Sequence, residues 1–235
     1  VLKDLDTVQK RLDRTRRSAK GGGAKDKKDV EVLERLEKHL DQGKPARTLE
    51  GQDDDTVLLI RELALISQKP MFYVCNVKEE QLGKEATDPL VAKVRTHAEK
   101  IGAPVVSICA KLEAEIMQLP PEERPAFLES VGLAEPGLNA VIRTGYAMMD
   151  LITYFTAGKQ EVRSWTIKRG TRAPQAAGKI HTDFEKGFIK AEVIWWEDRV
   201  SLGTEAAVRA AGKLGIEGKE YVVRDGDVMH FRFNN

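Results

Sequence analysis

The sequence predicts a mixed α/β protein with a helical hairpin at its front and a small α+β module at its back. Three observations carry this. An apolar seam spaced by threes and fours runs through residues 1–19 and resumes beyond a glycine run. Two short apolar runs, 71–77 and 104–109, alternate with helical stretches in a βαβ rhythm. From Glu161 onward short alternating segments and turn signals replace the helical period. The 235 residues allow one domain and a smaller module. With 41% hydrophobic and 32% charged residues, the chain has material for a core and is neither fibrous nor wholly disordered.

The first helix carries Leu5, Val8, Leu12, Thr15 and Ala19 on its seam. Gly21, Gly22 and Gly23 break it, and a second helix follows with Val30, Leu33, Leu36 and Leu40 on one stripe, ending near Gly43-Lys44-Pro45. Two helices joined by a tight turn make a hairpin. Its tip is basic. Lys10, Arg11, Arg14, Arg16, Arg17, Lys20, Lys25, Lys27 and Lys28 face only Asp13 and Asp26, although the whole chain has a net charge of just +1. Such a cluster is either a solvated helix face or a contact for a phosphate backbone. No aromatic residue is interleaved, so base stacking is not expected there.

Residues 53–67 open with Asp53-Asp54-Asp55 and continue as an amphipathic helix. The acidic run reads as helix capping, with a metal site as the alternative. Met71–Val77 reads as a buried parallel strand ending in the polar cluster Asn76-Val77-Lys78-Glu79. A helix over 88–101, a second buried strand at 104–109 and a helix through Met117 follow. Ligands of such sheets bind at the carboxyl ends of the strands, where Asn76 and Cys109-Ala110-Lys111 lie. Residues 120–131 and 137–155 read as two further helices. Then come a strand at 162–168, a turn at Gly170, a helical stretch from Gln175 to Lys186, a strand at 188–196 and a helix from Thr204 to Leu214. Asp225-Gly226-Asp227 reads as a hairpin turn between 221–224 and 228–233. Together these suggest a grasp-like α+β module.

The motifs narrow the chemistry. Cys75 and Cys109 are too few for a disulfide framework or a four-ligand zinc site, and they suit buried thiols in a reducing compartment. No apolar run approaches the length of a membrane span, the charged N-terminus is no signal peptide, and a cytosolic location is expected. The first residue is Val rather than Met, which suggests a fragment or a processed start. There is no H-E-x-x-H and no G-x-S-x-G elbow. Gly-Lys occurs at 43, 83, 158, 178, 212 and 218 but is never followed by Ser or Thr, so the phosphate-cradling P-loop is missing. Asn76-Val77-Lys78-Glu79 nevertheless echoes the N-K-x-D base-binding motif of P-loop GTPases. Val replaces its Lys and Glu its Asp, which favours adenine's exocyclic amine over guanine's donor pair. Ala110-Lys111, about thirty residues on, echoes the S-A-K step that closes the same pocket.

On these residues the chain resembles the YchF / Obg-like ATPase family, of the translation-factor-related P-loop class. The likeness covers nearly the whole chain. It begins at Leu5-Asp6-Thr7 and includes Asn76 to Glu79, Glu135 to Asn139 and Tyr154 to Gly158, and it is most specific in Ala173 to Phe188 and Asp225 to Met229. The resemblance implies a partial P-loop G domain with an inserted α-helical coiled-coil hairpin, plus a C-terminal α+β β-grasp (TGS) domain. The hairpin would occupy 1–45, the C-terminal half of the G domain 46–148 and the TGS domain 149–235.

It further implies a cytoplasmic, ribosome-associated protein that binds and hydrolyses ATP in preference to GTP, using ATP with Mg2+ in its complete form. The P-loop and switch regions, with the magnesium ligands, would lie upstream. No catalytic or metal-binding residue is therefore expected here, and the chain alone is expected to be inactive. Carried over by position, Asn76, Val77 and Glu79 contact or frame adenine and Ala110 closes the pocket, although Cys109 departs from the Ser of S-A-K. The implied partners are ATP and the ribosome or structured RNA, with no membrane and no DNA sequence specificity. The alternative is a non-catalytic RNA- or ribosome-binding module. His181-Thr182-Asp183-Phe184 is read as structural and RNA-facing. Trp165, Trp195 and Trp196 are read as core or partner surface, with stacking on RNA bases open for one of them.

Overall fold

The computed structural model describes residues 1–21, 23–158 and 161–234. Of the expected features, Gly22 of the glycine turn and Lys159 after Gly158 lie outside the described residues. The chain divides into two units, Val1–Met71 and a second that begins at Phe72.

The first unit is helical. Helices α1 (Leu2–Ala19) and α2 (Ala24–Asp41) form the hairpin. Its seam buries Val8, Leu12 and Thr15 against Val32, Leu33, Leu36 and Leu40, while Leu5 and Val30 sit at its margin. Val32 lies outside the predicted stripe and extends it by one column. The third helix, α3 (Asp54–Glu62), is shorter than predicted. Ala64 adopts a left-handed φ of 49°, which ends the helical path before the apolar Leu65 and Ile66. Leu59, Ile60, Leu65 and Ala46 join the same core as the hairpin. Residues 46–71 therefore share the hairpin's core, and the first unit runs to Met71.

The second unit begins with β1 (Tyr73–Asn76), α4 (Pro89–Lys100) and β2 (Val105–Ile108), a parallel pair with Tyr73 opposite Val105 and Asn76 opposite Ile108. The pair stands as a two-stranded sheet. Val74 is consequently 43% exposed, so β1 is not the fully buried strand that its apolar run suggests. Helices α5 (Ala110–Gln118), α6 (Arg124–Ser130) and α7 (Gly137–Met148) follow. The predicted helix over 137–155 stops at Met148. Asp150 turns the chain with φ 52°, and β3 (Leu151–Ala157) begins. Ile152 and Tyr154 are buried while Leu151, Thr153 and Phe155 are only half-buried, which is the two-residue period of a strand.

The remaining elements are β4 (Val162–Lys168), α8 (Ala173–Ile180), α9 (Thr182–Lys186), β5 (Phe188–Trp195), α10 (Trp196–Leu202), α11 (Glu205–Ala210), β6 (Leu214–Glu217) and β7 (Asp227–Phe233). Five strands form one sheet in the order β4-β3-β7-β5-β6. The β3–β7 pair is parallel, and the other three pairs are antiparallel. Helix α8 presents Ala173, Ala176 and Ala177, all fully buried, to a core containing Ile152, Tyr154, Phe188, Ala191, Met229 and Phe231. Small side chains let the helix approach closely, and the Tyr154 hydroxyl donates to the Ala176 carbonyl at 2.8 Å.

Three sequence expectations fail in this module. The Gln175–Lys186 stretch is two helices, because His181 is extended between them and caps the second. The stretch from Thr204 contains the short α11 and then β6, with α10 ahead of it unforeseen. Asp225-Gly226-Asp227 does not join a hairpin. Residues 221–224 contribute only a bridge from Val222 to Arg172, and β7 runs between β3 and β5. The turn instead feeds the chain into the middle of the sheet. Thr153 N–H donates to Asp225 Oδ1 at 2.7 Å, Gly226 N–H donates to the Thr153 carbonyl at 2.8 Å, and Asp227 accepts from Arg224 N–H and the Tyr221 hydroxyl.

Candidate nucleotide-binding loop and basic hairpin tip

Strands β1 and β2 bring Asn76, Val77, Glu79 and Ala110 to one end of the parallel pair, their carboxyl ends. Asn76 Oδ1 accepts the Ala110 backbone N–H at 3.0 Å, joining the strand-end loop to the first residue of α5. Val77 N–H continues the ladder by donating to the Ile108 carbonyl at 2.8 Å. The Val77 side chain is buried, so it frames the loop rather than reaching outward. Glu79 is exposed and opens a short 3₁₀ turn, Glu79–Gln81.

Two residues that the sequence reading missed hold this turn. Gln81 Oε1 accepts from Lys78 N–H at 2.8 Å, and its amide nitrogen donates to Asp88. Asp88 in turn caps α4 by accepting from Leu90 and Val91 N–H groups at 2.8 and 3.1 Å. The D-P pair at 88–89 was a visible helix-start signal, but its link to the loop is tertiary. On the other side Glu113 accepts from Gly137 and Leu138 N–H groups at 2.7 and 3.2 Å, capping α7 from α5. Gly137 leaves no room for a Cβ, which would meet Glu113 and Ile108. Hydrogen bonds from Arg143 and Asn139 hold the Glu135 carboxyl down to about 2. The resembling segment 135–139 thus packs against α5 and the end of β2.

Cys109 is buried and Cys75 half-buried. No group of three or more His, Cys, Asp or Glu side chains able to hold a metal occurs among the described residues. The string G-x-x-x-x-G-K-[ST] does not occur in the sequence.

The hairpin is a separate feature of the first unit. Of its nine basic residues, Lys10 pairs with Asp6, Arg11 with Glu62 and Arg16 with Glu34. Lys28 bridges Asp53 and Asp55, each at 2.9 Å. Asp55 and Asp53 raise the Lys28 pKa, while Thr56 and then Lys28 lower that of Asp53. Asp53 also caps α3 by accepting from Thr56 N–H at 2.9 Å, so the acidic run acts as a cap and an ion-pair anchor. Arg14, Arg17, Lys20, Lys25 and Lys27 are exposed, and none has an ion-pair partner among the described residues.

His181 Nδ1 accepts from Asp183 N–H at 3.2 Å, a local capping arrangement. Trp165 stacks on Tyr154 and donates to Thr156, while Trp195 and Trp196 are 38% and 43% exposed. No helix among the described residues is long and apolar enough to cross a membrane.

A parallel strand pair with a polar loop at its carboxyl ends, followed by a five-stranded mixed sheet, defines a mixed α/β protein of the kind seen in a solved relative. That relative is the structure of the Schizosaccharomyces pombe YchF GTPase. It matches 98% of this chain and 62% of its own length with a TM-score of 0.80 at 32% identity. A family model described as YchF-GTPase_C, protein of unknown function (DUF933), matches residues 151–234. The ribosome-binding ATPase YchF of Bacillus subtilis (strain 168) is 46% identical over 237 residues, covering 100% of this chain and 64% of that one. Obg-like ATPase 1 of Pongo abelii is 38% identical, covering 99% of this chain and 59% of its own length. The chain belongs to the YchF / Obg-like ATPase family and spans somewhat less than two thirds of the length of these relatives.

Proposed function

We propose that this chain supplies the base-recognition loop and the RNA-docking surfaces of a ribosome-associated, ATP-hydrolysing protein of this family. In this reading Asn76 braces the pocket, Val77 frames it, Glu79 accepts from adenine's exocyclic amine, and Ala110 closes the far wall. The observation that carries it is the hydrogen bond from Ala110 N–H to Asn76 Oδ1, which unites two motifs 34 residues apart into one rim. An ionised carboxylate only accepts hydrogen bonds, so Glu79 suits a base that offers an amine at that edge. ATP in preference to GTP follows from the Glu and Val that replace Asp and Lys of the guanine-reading motif. Magnesium would be held by residues other than these and, when bound, would neutralise charge on the phosphates.

The names of the relatives, ribosome-binding ATPase and Obg-like ATPase, support the partner and the nucleotide. The strand order β4-β3-β7-β5-β6 with α8 packed on it supports reading residues 149–235 as a β-grasp TGS domain. The α1–α2 pair supports a coiled-coil insertion at 1–45, and 46–148 would then complete the second half of a G domain. A cytoplasmic location accords with a ribosomal partner.

The test is nucleotide selectivity in a protein carrying the full length of the relatives. Glu79→Asp combined with Val77→Lys is expected to move the ATP:GTP affinity ratio toward GTP by roughly tenfold or more, since hydrogen bonds to charged groups contribute about 1.5–3 kcal/mol. Titration with labelled ATP and GTP measures this, and an unchanged ratio would rule out base reading by this loop.

A further inference from the structure

The nine basic residues of the hairpin are one cluster in the sequence and two sets in the structure. Lys10, Arg11, Arg16 and Lys28 each hold at least one carboxylate, and three of these residues link separate elements: Arg16 to Glu34 across the hairpin, Arg11 to Glu62, and Lys28 to Asp53 and Asp55. Arg14, Arg17 and Lys20 follow one i,i+3 row at the end of α1. Lys25 and Lys27 lie in the first turn of α2, just across the turn from that row. Ser18 Oγ donates to Asp26 at 2.6 Å, so one of the two nearby acids is engaged within the hairpin end. At Lys28 the local balance reverses, because one cation faces Asp53 and Asp55 with Asp54 between them.

We propose that the phosphate-binding surface of the hairpin consists of Arg14, Arg17, Lys20, Lys25 and Lys27 alone, and that the acidic run Asp53–Asp55 bounds it by holding Lys28 and repelling phosphate on that side. This rests on the RNA reading above and adds its footprint and its limit. The ligand is the backbone of a double-stranded RNA segment. The five side chains offer charge without an aromatic platform, which suits a helix read by shape and phosphate rather than unstacked bases. A paired cation contributes little, since binding phosphate would break its existing ion pair and leave a carboxylate facing the polyanion. The five free cations release counterions without that opposition.

The experiment measures binding of the full chain to an RNA duplex of about 20 base pairs by fluorescence anisotropy across a salt series. Five phosphate contacts predict a log–log salt slope of about −4.5, a roughly 10²–10³-fold loss between about 50 and 200 mM salt. Replacing any one of Arg14, Arg17, Lys20, Lys25 or Lys27 by Gln is expected to reduce the slope by about one. Lys10→Gln is expected to leave it unchanged. Asp54→Asn with Asp55→Asn keeps the Asp53 cap and its ion pair with Lys28, and should tighten binding roughly five- to tenfold at about 0.1 M salt by removing two charges that repel phosphate on that side. Circular dichroism melts of each variant separate a lost contact from a lost fold.

Equal losses from the paired and the free cations, or no gain from the two-acid variant, would overturn the inference while leaving RNA binding by the hairpin intact. Tighter binding of a single-stranded RNA of equal length would overturn the choice of a duplex. Absence of salt-dependent binding to any RNA would remove the hairpin reading itself along with this inference.

Discussion

Asp4 shows how one buried charge can fasten an element. It lies on the first turn of α1 with 2% of its surface exposed, and its carboxylate accepts from Ile66 and Ser67 N–H groups at 2.8 and 2.7 Å. Burial pushes its pKa upward, but the hydrogen bonds from Ser67 and Ile66 outweigh that and hold it below the ordinary 3.8. A carboxylate with a depressed folded-state pKa contributes stability above its unfolded-state pKa and loses it as pH falls through the folded-state value. The first unit should therefore lose this contribution progressively below about pH 4. Asp4→Asn is expected to lower the melting temperature at neutral pH, and the gap to the parent chain should narrow as the buffer is taken from about pH 6 towards pH 3. A gap of constant size over that range would show that the charge at Asp4 plays no part. The seam reading placed neighbouring Leu5 correctly, but no periodicity marks Asp4, because its partners lie more than sixty residues away.

Among the elements, the entry to β7 decides the second unit's topology. Gly226 has φ 95°, a conformation that costs other residues dearly, and a Cβ there would lie 2.5 Å from Trp196 Cδ1 and 3.1 Å from the Trp195 ring. Gly226→Ala is expected to destabilise the five-stranded sheet by about 1–3 kcal/mol, combining backbone strain with displacement of the indoles. Urea unfolding followed by tryptophan fluorescence measures it, and a midpoint equal to the parent's would refute the close-packing argument. The D-G-D signal was legible as a turn. Its use was not, because a turn signal reports local backbone geometry and says nothing about which strands the chain joins next. The same limit explains Leu151–Ala157. Its apolar residues satisfy a helical stripe and a strand face alike, and only the reversal at Asp150 and the pairing with β4 and β7 resolve the ambiguity.

For the molecule as a whole, the division into two units and the strand-end loop define what this chain contributes. Phosphoryl transfer is achieved by positioning and electrostatics around the terminal phosphates, and none of the motifs that grip them occurs in these 235 residues. The chain by itself is expected to show no magnesium-dependent ATP turnover above blank in a coupled phosphate-release assay; turnover above blank would mean that the reading of its motifs is mistaken. Sequence alone determined the features that depend on neighbours within a few residues or on distinctive strings: the hairpin seam, the helix over 88–101, the N-x-x-E loop after a strand, and the family resemblance. Tertiary structure decided which cations of the hairpin are already neutralised, that residues 46–71 share the hairpin's core, and that Asn76 meets Ala110. It also decided that β7 lies between β3 and β5. Those outcomes depend on contacts between residues far apart in the chain, and a local pattern of charge or hydrophobicity carries no record of the partner it will find.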